Sequence, residues 1–271
     1  MSITFASRED RCQLKEIYRA CFPDDSERFW DFELDCLMQP DNILIYREGG
    51  RILSTVQILS EKLILQETVY PVQYIYAAAT LPEAQGRGLM GRLLRKAHDL
   101  ARDRGQWFSV LITQNDSLFD FYARFGYQDC GKLGLIHPCA TTKTGVVRTA
   151  VAEDVPMMLD LYCASQTEIL SVARAGRNMA LQREIYGKHV LVYEVNGAVT
   201  AYGVRTGDHM LEVMGPDAPA LLASTQVACG YTLPTGDADL VRNGCVFPLT
   251  KQAEDLLCAQ RGIVYLNLMW N

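Results

Sequence analysis

The 271-residue sequence contains no apolar run of about 18 residues, the length a membrane-crossing helix needs. Its nine cysteines (Cys12, Cys21, Cys36, Cys130, Cys139, Cys163, Cys229, Cys245, Cys258) include no C-x-x-C pair, and its four histidines (His98, His137, His189, His209) are not at ligand spacing. Both absences argue against a zinc site, and no metal is expected. Met1–Asp10 carries Arg8, Glu9 and Asp10 with no apolar run behind them, so no secretory leader is expected. The scattered thiols are therefore expected to be reduced, in a cytoplasm. Basic residues are in deficit, 26 against 32 acidic, giving a net charge of −6 and a pI near 5.3. A nucleic-acid partner needs a concentrated basic surface, and that class is excluded. The same balance gives a weak preference for cationic partners. With 49% hydrophobic and 21% charged residues, the chain is neither disordered nor fibrous. Its length suits two domains, each with an apolar core.

Those two domains echo each other. Ile3-Thr-Phe-Ala6, Glu9-Asp10, Leu14, Ile17-Tyr18 and Ala20 recur 144 positions on (3 to 147) as Val147-Arg-Thr-Ala150, Glu153-Asp154, Met158, Leu161-Tyr162 and Ala164. Asn42-Ile-Leu-Ile-Tyr46 followed by Gly50 recurs 147 positions on (42 to 189) as His189-Val-Leu-Val-Tyr193 followed by Gly197. Two matches at nearly one offset point to duplication. The boundaries are expected at residues 1–138 and 146–271, with 139–145 as linker.

Periodicity and turn residues predict, in the first half, helices over 8–21 and 26–38 and strands over 42–47, 51–66 and 69–80. Helix 87–104, strand 107–113, helix 117–125 and strand 127–135 follow. The order predicts an α/β (mixed α+β) fold, with mixed, mostly antiparallel sheets flanked by helices.

The chemistry concentrates in Tyr76-Ala-Ala-Ala-Thr80-Leu-Pro-Glu-Ala-Gln85-Gly-Arg-Gly-Leu-Met-Gly91. A strand runs into a glycine loop that opens a helix, an arrangement whose backbone N–H groups and helix dipole cradle a phosphate. Gly86, Gly88 and Gly91 satisfy G-x-G-x-x-G, the dinucleotide fingerprint. Against a dinucleotide site stand the five residues Leu81–Gln85 between strand and first glycine, the three strands before the motif, and the missing carboxylate at the tip of strand 107–113. A glycine-rich helix entry without ligand is a further reading.

Gln85-x-x-Gly88 after a strand and Pro82 resembles the cofactor signature of the GNAT N-acetyltransferase superfamily, Q/R-x-x-G-x-G/A. Downstream, Asn115 followed by Tyr122 and Gly126-Tyr127 resembles its second signature. Met90 stands where Gly or Ala is usual, with Gly91 one position later; this is similar to the tandem-domain, enhanced-intracellular-survival (Eis-like) branch. The resemblance covers residues 1 to about 138 and implies two tandem GNAT-like domains, without the sterol-carrier-like third domain of that branch. It further implies acetyl-CoA as co-substrate. The N–H groups of Gly86, Arg87, Gly88, Leu89, Met90 and Gly91 would hold the pyrophosphate, with Gln85 as the signature residue. Ala78, Ala79 and Thr80 would pair with the pantetheine arm, Asn115 would hydrogen-bond it, and Tyr122 would sit beside the thioester sulfur.

The reaction expected is direct attack of a primary amine, on a small molecule or peptide, with Tyr122 protonating the leaving thiolate. Tyr122 also reads as an aromatic core residue, and Phe121 and Phe125 are expected in the core. No carboxylate lies on strand 69–80, so the base is open: water, a backbone carbonyl, an acid from helix 26–38 (Asp31, Glu33, Asp35), or, as in Eis-like relatives, the C-terminal carboxylate, here Asn271. The run 263–271 reads as a buried terminal strand. In the second half, His209-Met-Leu-Glu-Val-Met-Gly215-Pro216 replaces the cradle, and no CoA binding is expected there. Alternatives are a CoA-binding regulatory or scaffold protein without catalysis, and an acyl or aminoacyl transferase using another donor.

Overall fold

Each half of the chain opens on the same local device. Asp10 accepts from the Ser7 N–H at 2.9 Å and pairs with Arg47 at 2.5 Å. Asp154 accepts from the Val151 N–H at 2.8 Å and pairs with Arg148 at 2.6 and 2.8 Å. A carboxylate at a helix start satisfies an otherwise orphaned donor and complements the helix dipole. The computed structural model describes residues 2–39, 41–113, 115–139, 144–166, 169–234 and 239–269.

In the first half the elements are β1 (Ser2–Phe5), α1 (Arg11–Cys21), α2 (Glu27–Leu37), β2 (Ile43–Glu48), β3 (Arg51–Leu65) and β4 (Thr68–Thr80). They continue with α3 (Leu89–Asp103), β5 (Phe108–Ile112), α4 (Asp116–Ala123) and β6 (Gln128–Ile136). The second half comprises β7 (Val146–Thr149), α5 (Val155–Ser165), β8 (Leu170–Val172), α6 (Gly176–Tyr186), β9 (Val190–Val195) and β10 (Ala198–Thr206). It ends with β11 (His209–Met214), α7 (Ala218–Thr225), β12 (Cys229–Thr232), β13 (Leu240–Pro248), α8 (Lys251–Ala259) and β14 (Val264–Tyr265). Two expected helices start late for local reasons. Residues 8–10 form a 3-10 turn ahead of α1, and Gly88, at φ 71°, caps α3 so that its first helical residue is Leu89.

The fold is mixed α/β, two units of like topology whose sheets are mostly antiparallel. β1 pairs with β2 as β7 pairs with β9, and the parallel pair β4–β5 has its counterpart in β11–β12. The units share one sheet in the order β1-β2-β3-β4-β5-β13-β6-β12-β11-β10-β9-β7. β13, from the second half, lies between β5 and β6, and β6, from the first, lies between β13 and β12. One core packs α1, α2 and α3 against the first half's strands through Leu14, Tyr18, Trp30, Ile45, Leu93 and Leu94. A second core joins the halves: Leu63, Val72, Phe108 and Val110 meet Met158, Tyr162, Val246 and Tyr265.

The run Val264–Met269 is buried, and Val264 pairs with both Gly131 and Leu170. Its carbonyls are held by side chains: Asn243 Nδ2 donates to Leu266 at 2.5 Å, Arg174 to Asn267 at 3.0 Å and Gln182 to Leu268 at 3.1 Å. Arg174 also forms a bidentate pair with Glu212, the second contact at 2.6 Å, both side chains being at most 1% exposed. Tyr202 and Tyr265 donate to the same carboxylate at 2.8 and 2.7 Å. Among the described residues no helix is long and apolar enough to cross a membrane.

Candidate functional site

The site forms where β4 and β5 part. Their parallel ladder runs from Val72–Phe108 to Tyr74–Val110, while β4 continues to Thr80 against β3 on its other side. The register between β3 and β4 shifts opposite Thr55–Gln57, and Ala77 takes a φ of 43° there. A bulge with a left-handed residue bends a strand and re-aims its side chains and backbone. Beyond it, β4 presents its edge to a cleft of about 660 Å³.

The cleft brings most of the expected residues together. Ala78, Thr80, Gln85, Gly86, Gly88, Leu89, Met90, Gly91 and Tyr122 line it. Gly86 and Gly88 sit at φ 75° and 71°, and nothing lies within 4 Å of where a Cβ would be on either. These glycines serve the backbone turn rather than a tight fit. Gly91 is different, because a Cβ there would lie 2.6 Å from Phe125 Cε1. Phe125, just past α4, therefore packs against α3 over a glycine. The first N–H groups of α3 have no partner within the helix, and Leu89, Met90 and Gly91, which carry them, line the cleft, as an anion site requires.

Three expected residues stand elsewhere. Ala79 is buried, its carbonyl accepting from Ser54 Oγ at 3.0 Å. Arg87 reaches away to Glu48 at 2.6 Å. Asn115 caps α4 and its side-chain oxygen accepts from Ser117 at 2.6 Å, outside the cleft lining. Asn271 lies outside the described residues. Phe121 and Phe125, expected in the core, are half-buried and form a wall of the cleft. Arg124, which belongs to neither motif, also lines the cleft, its guanidinium 5.1 Å from the Phe121 ring. Its only sequence signal is its place between Tyr122 and Gly126.

Tyr122 is 8% exposed, and burial pushes its hydroxyl up to about 12. Its ring meets Phe121 and Tyr127 edge-on at 5.1 and 5.7 Å. Tyr127, the aromatic after Gly126, bonds Ser109 at 2.7 Å and His98 at 3.0 Å, so that half of the second motif is structural. A strand that parts from its neighbour, an open glycine cradle and a tyrosine beside both can hold an acyl thioester and protonate its leaving group.

A family profile for the acetyltransferase (GNAT) domain matches residues 2–130. The first half of the chain is a GNAT acetyltransferase domain. Solved structures extend the likeness in fold across both halves. A GCN5-related N-acetyltransferase from Kribbella flavida is 16% identical, with 93% of this chain and 73% of that one covered at a TM-score of 0.71. A conserved protein of unknown function from Enterococcus faecalis, described as a probable N-acyltransferase, is 14% identical over 93% and 73% at 0.70. Eis1 from Mycobacterium abscessus is 14% identical over 93% and 75% at 0.65. No curated protein matches. In the GNAT domain the cradle follows β4; at the matching place of the second unit, Gly215 has φ 108° and a Cβ there would lie 2.4 Å from the Thr200 carbonyl. That glycine is packed against β10 through Thr200 and Ala201, unlike Gly86 and Gly88, which have open space where a Cβ would be.

Proposed function

We propose that the chain is an acetyl-CoA-dependent N-acetyltransferase acting on a primary amine of a small molecule or peptide. The observation that carries the reading is the single cleft lined by both the glycine cradle and Tyr122. Acetyl-CoA supplies the thioester carbonyl and a thiolate leaving group. The N–H groups between Gly86 and Gly91 receive its pyrophosphate, and Arg124 at the mouth adds a positive charge. The edge of β4 from Ala78 to Thr80 pairs with the pantetheine arm as a strand would. Tyr122 gives its proton to the sulfur as the C–S bond breaks. Asn115 enters this scheme only if its side chain leaves Ser117. The second unit closes the shared sheet and does not bind CoA, because Gly215-Pro216 stands in place of the glycine loop and Gly215 packs against β10. The scattered cysteines suit a reducing cytoplasm.

Acetyl-CoA at about 100 times its Kd is expected to raise Tm by roughly 5 °C, NAD by nothing, with one equivalent bound per chain. A free-thiol assay over polyamines, aminoglycosides and amino-acid amines then reads turnover. Stabilisation without thiol release would instead support a CoA-binding scaffold. Gly88→Ala tests the cradle. An L-residue held left-handed costs roughly 1–2 kcal/mol, so acetyl-CoA affinity is expected to fall about tenfold with the fold retained. Unchanged affinity by calorimetry would remove the cradle from the binding site.

A further inference from the structure

The strand that the second half inserts into the first carries two side chains, Phe247 and Arg242, that reach back into the acetyltransferase domain. β13 lies between β5 and β6, with Phe247 opposite Ser109 of β5. The Phe247 ring stacks on His98 of α3, the centroids 4.2 Å apart and the planes 3° apart, and it meets Tyr127 at 5.7 Å. Arg102, one turn on along α3, lies with its guanidinium 5.7 Å from the ring centre. Gly126 makes room for the ring: its φ is 88°, and a Cβ there would lie 2.7 Å from Phe247 Cε2. Towards the other end of β13, the Arg242 guanidinium lies 3.8 Å from the centre of the buried Phe119 ring on α4. It also pairs with Asp129 at 2.8 Å and with Asp116, the first residue of α4, at 3.6 Å.

Both sets of contacts converge on Tyr122. Phe119 precedes it by one helical turn of α4, and the Tyr127 ring meets it edge-on at 5.7 Å. Tyr127 cannot follow a displaced neighbour, because its hydroxyl is bonded to Ser109 at 2.7 Å and to His98 at 3.0 Å. The Tyr122 hydroxyl makes no hydrogen bond with any described residue, so packing of the ring and of α4 alone decides where it stands.

We propose that Phe247 and Arg242 are positioning residues for the acetyl transfer, holding Tyr122 at the thioester sulfur, Phe247 through Tyr127 and Arg242 through α4. This rests on the N-acetyltransferase reading with Tyr122 as proton donor. It gives the half without a cradle a part in the chemistry, although no residue of that half lines the cleft. Proton delivery to the departing sulfur needs the hydroxyl within hydrogen-bond reach, so a displacement of about 1 Å costs rate. Acetyl-CoA binding is left to the cradle and the β4 edge.

The test is a double-mutant cycle on the full chain, read by thiol release with the best acceptor amine and by calorimetric titration of acetyl-CoA. Phe247→Leu keeps an apolar side chain and removes the stacked ring; Arg242→Met keeps the stem and removes the charge. Each is expected to lower kcat about tenfold, with the acetyl-CoA Kd within about twofold of the wild type. The Arg242 side chain is 43% exposed, so R242M keeps the cycle readable whatever F247L does to stability. In a Tyr122→Phe background, where that proton is no longer delivered, the same substitutions should change kcat less than about twofold. A general loosening of the fold would lower kcat by the same factor in both backgrounds. Val246→Ala is the stability control. Val246 lies on the same strand but is fully buried in the core that joins the halves. Its Tm should fall while kcat, measured well below that Tm, stays within about twofold. Wild-type kcat in either positioning variant, equal losses with and without the Tyr122 hydroxyl, or an equal loss in V246A overturns the positioning role while the acetyltransferase reading stands. If Y122F releases thiol as fast as the wild type, the donor assignment falls and the positioning role with it. If the wild type releases no thiol with any amine, the acetyltransferase reading falls as well.

Discussion

Tyr122→Phe is expected to lower kcat by about 100-fold while acetyl-CoA affinity stays within about twofold, because one proton donor is removed and nothing else. The ring is held by its edge contacts with Phe121 and Tyr127, which phenylalanine reproduces. The hydroxyl makes no hydrogen bond with any described residue, so its loss leaves no partner orphaned and the fold should be unaffected. The sign of the pH effect follows from burial. With its pKa pushed up to about 12, Tyr122 remains a donor across the working range, and no alkaline loss of activity should trace to it. Steady-state kinetics with calorimetric titration of acetyl-CoA separates the alternatives. Equal losses in kcat and affinity would make Tyr122 a packing residue and leave the leaving group to another donor.

Arg174→Met is expected to destabilise the protein by about 3–5 kcal/mol, the largest effect on stability. Arg174 and Glu212 compensate each other where water is absent, and removal of one leaves a naked buried charge. Arg174 also lies over the Tyr162 ring, 4.2 Å from its centroid, and holds the Asn267 carbonyl. The substitution therefore loosens the segment Leu266–Met269 as well. Adding Glu212→Leu should restore part of the loss, since an apolar pair tolerates the site. Recovery stays incomplete because the Tyr202 and Tyr265 hydroxyls lose their acceptor. Denaturant unfolding of the wild type, the single and the double variant measures this directly. A double variant no better than the single would show that hydrogen bonding, rather than charge compensation, dominates the cluster.

The parts of this architecture that local pattern dictates were legible in the sequence. The repeated Glu-Asp pairs at 9–10 and 153–154 mark two equivalent helix starts because capping is decided within a few residues. The spacing of Gln85, Gly86 and Gly88 after a strand marks the cradle for the same reason. What depends on distant partners was not legible. Arg87 sits at a motif position, yet Glu48, on a strand far back in the sequence, engages it. Glu33 of α2 meets Gln57 of β3, and nothing local distinguishes it from Asp31 or Asp35 as the inward-facing acid. The pairing of Arg174 with Glu212 and the placement of β13 follow from strand order, which periodicity does not encode.

The strand exchange also sets the timetable on which the protein acquires its shape. While the chain is being synthesised, β5 and β6 emerge without the strand that belongs between them. Residues 240–248 must leave the ribosome before the first half's sheet can close. Until then two unpaired strand edges stand open to other nascent chains. The acetyltransferase half therefore cannot mature ahead of the half that carries no cradle. Separation of the two at the linker would expose those edges in each piece.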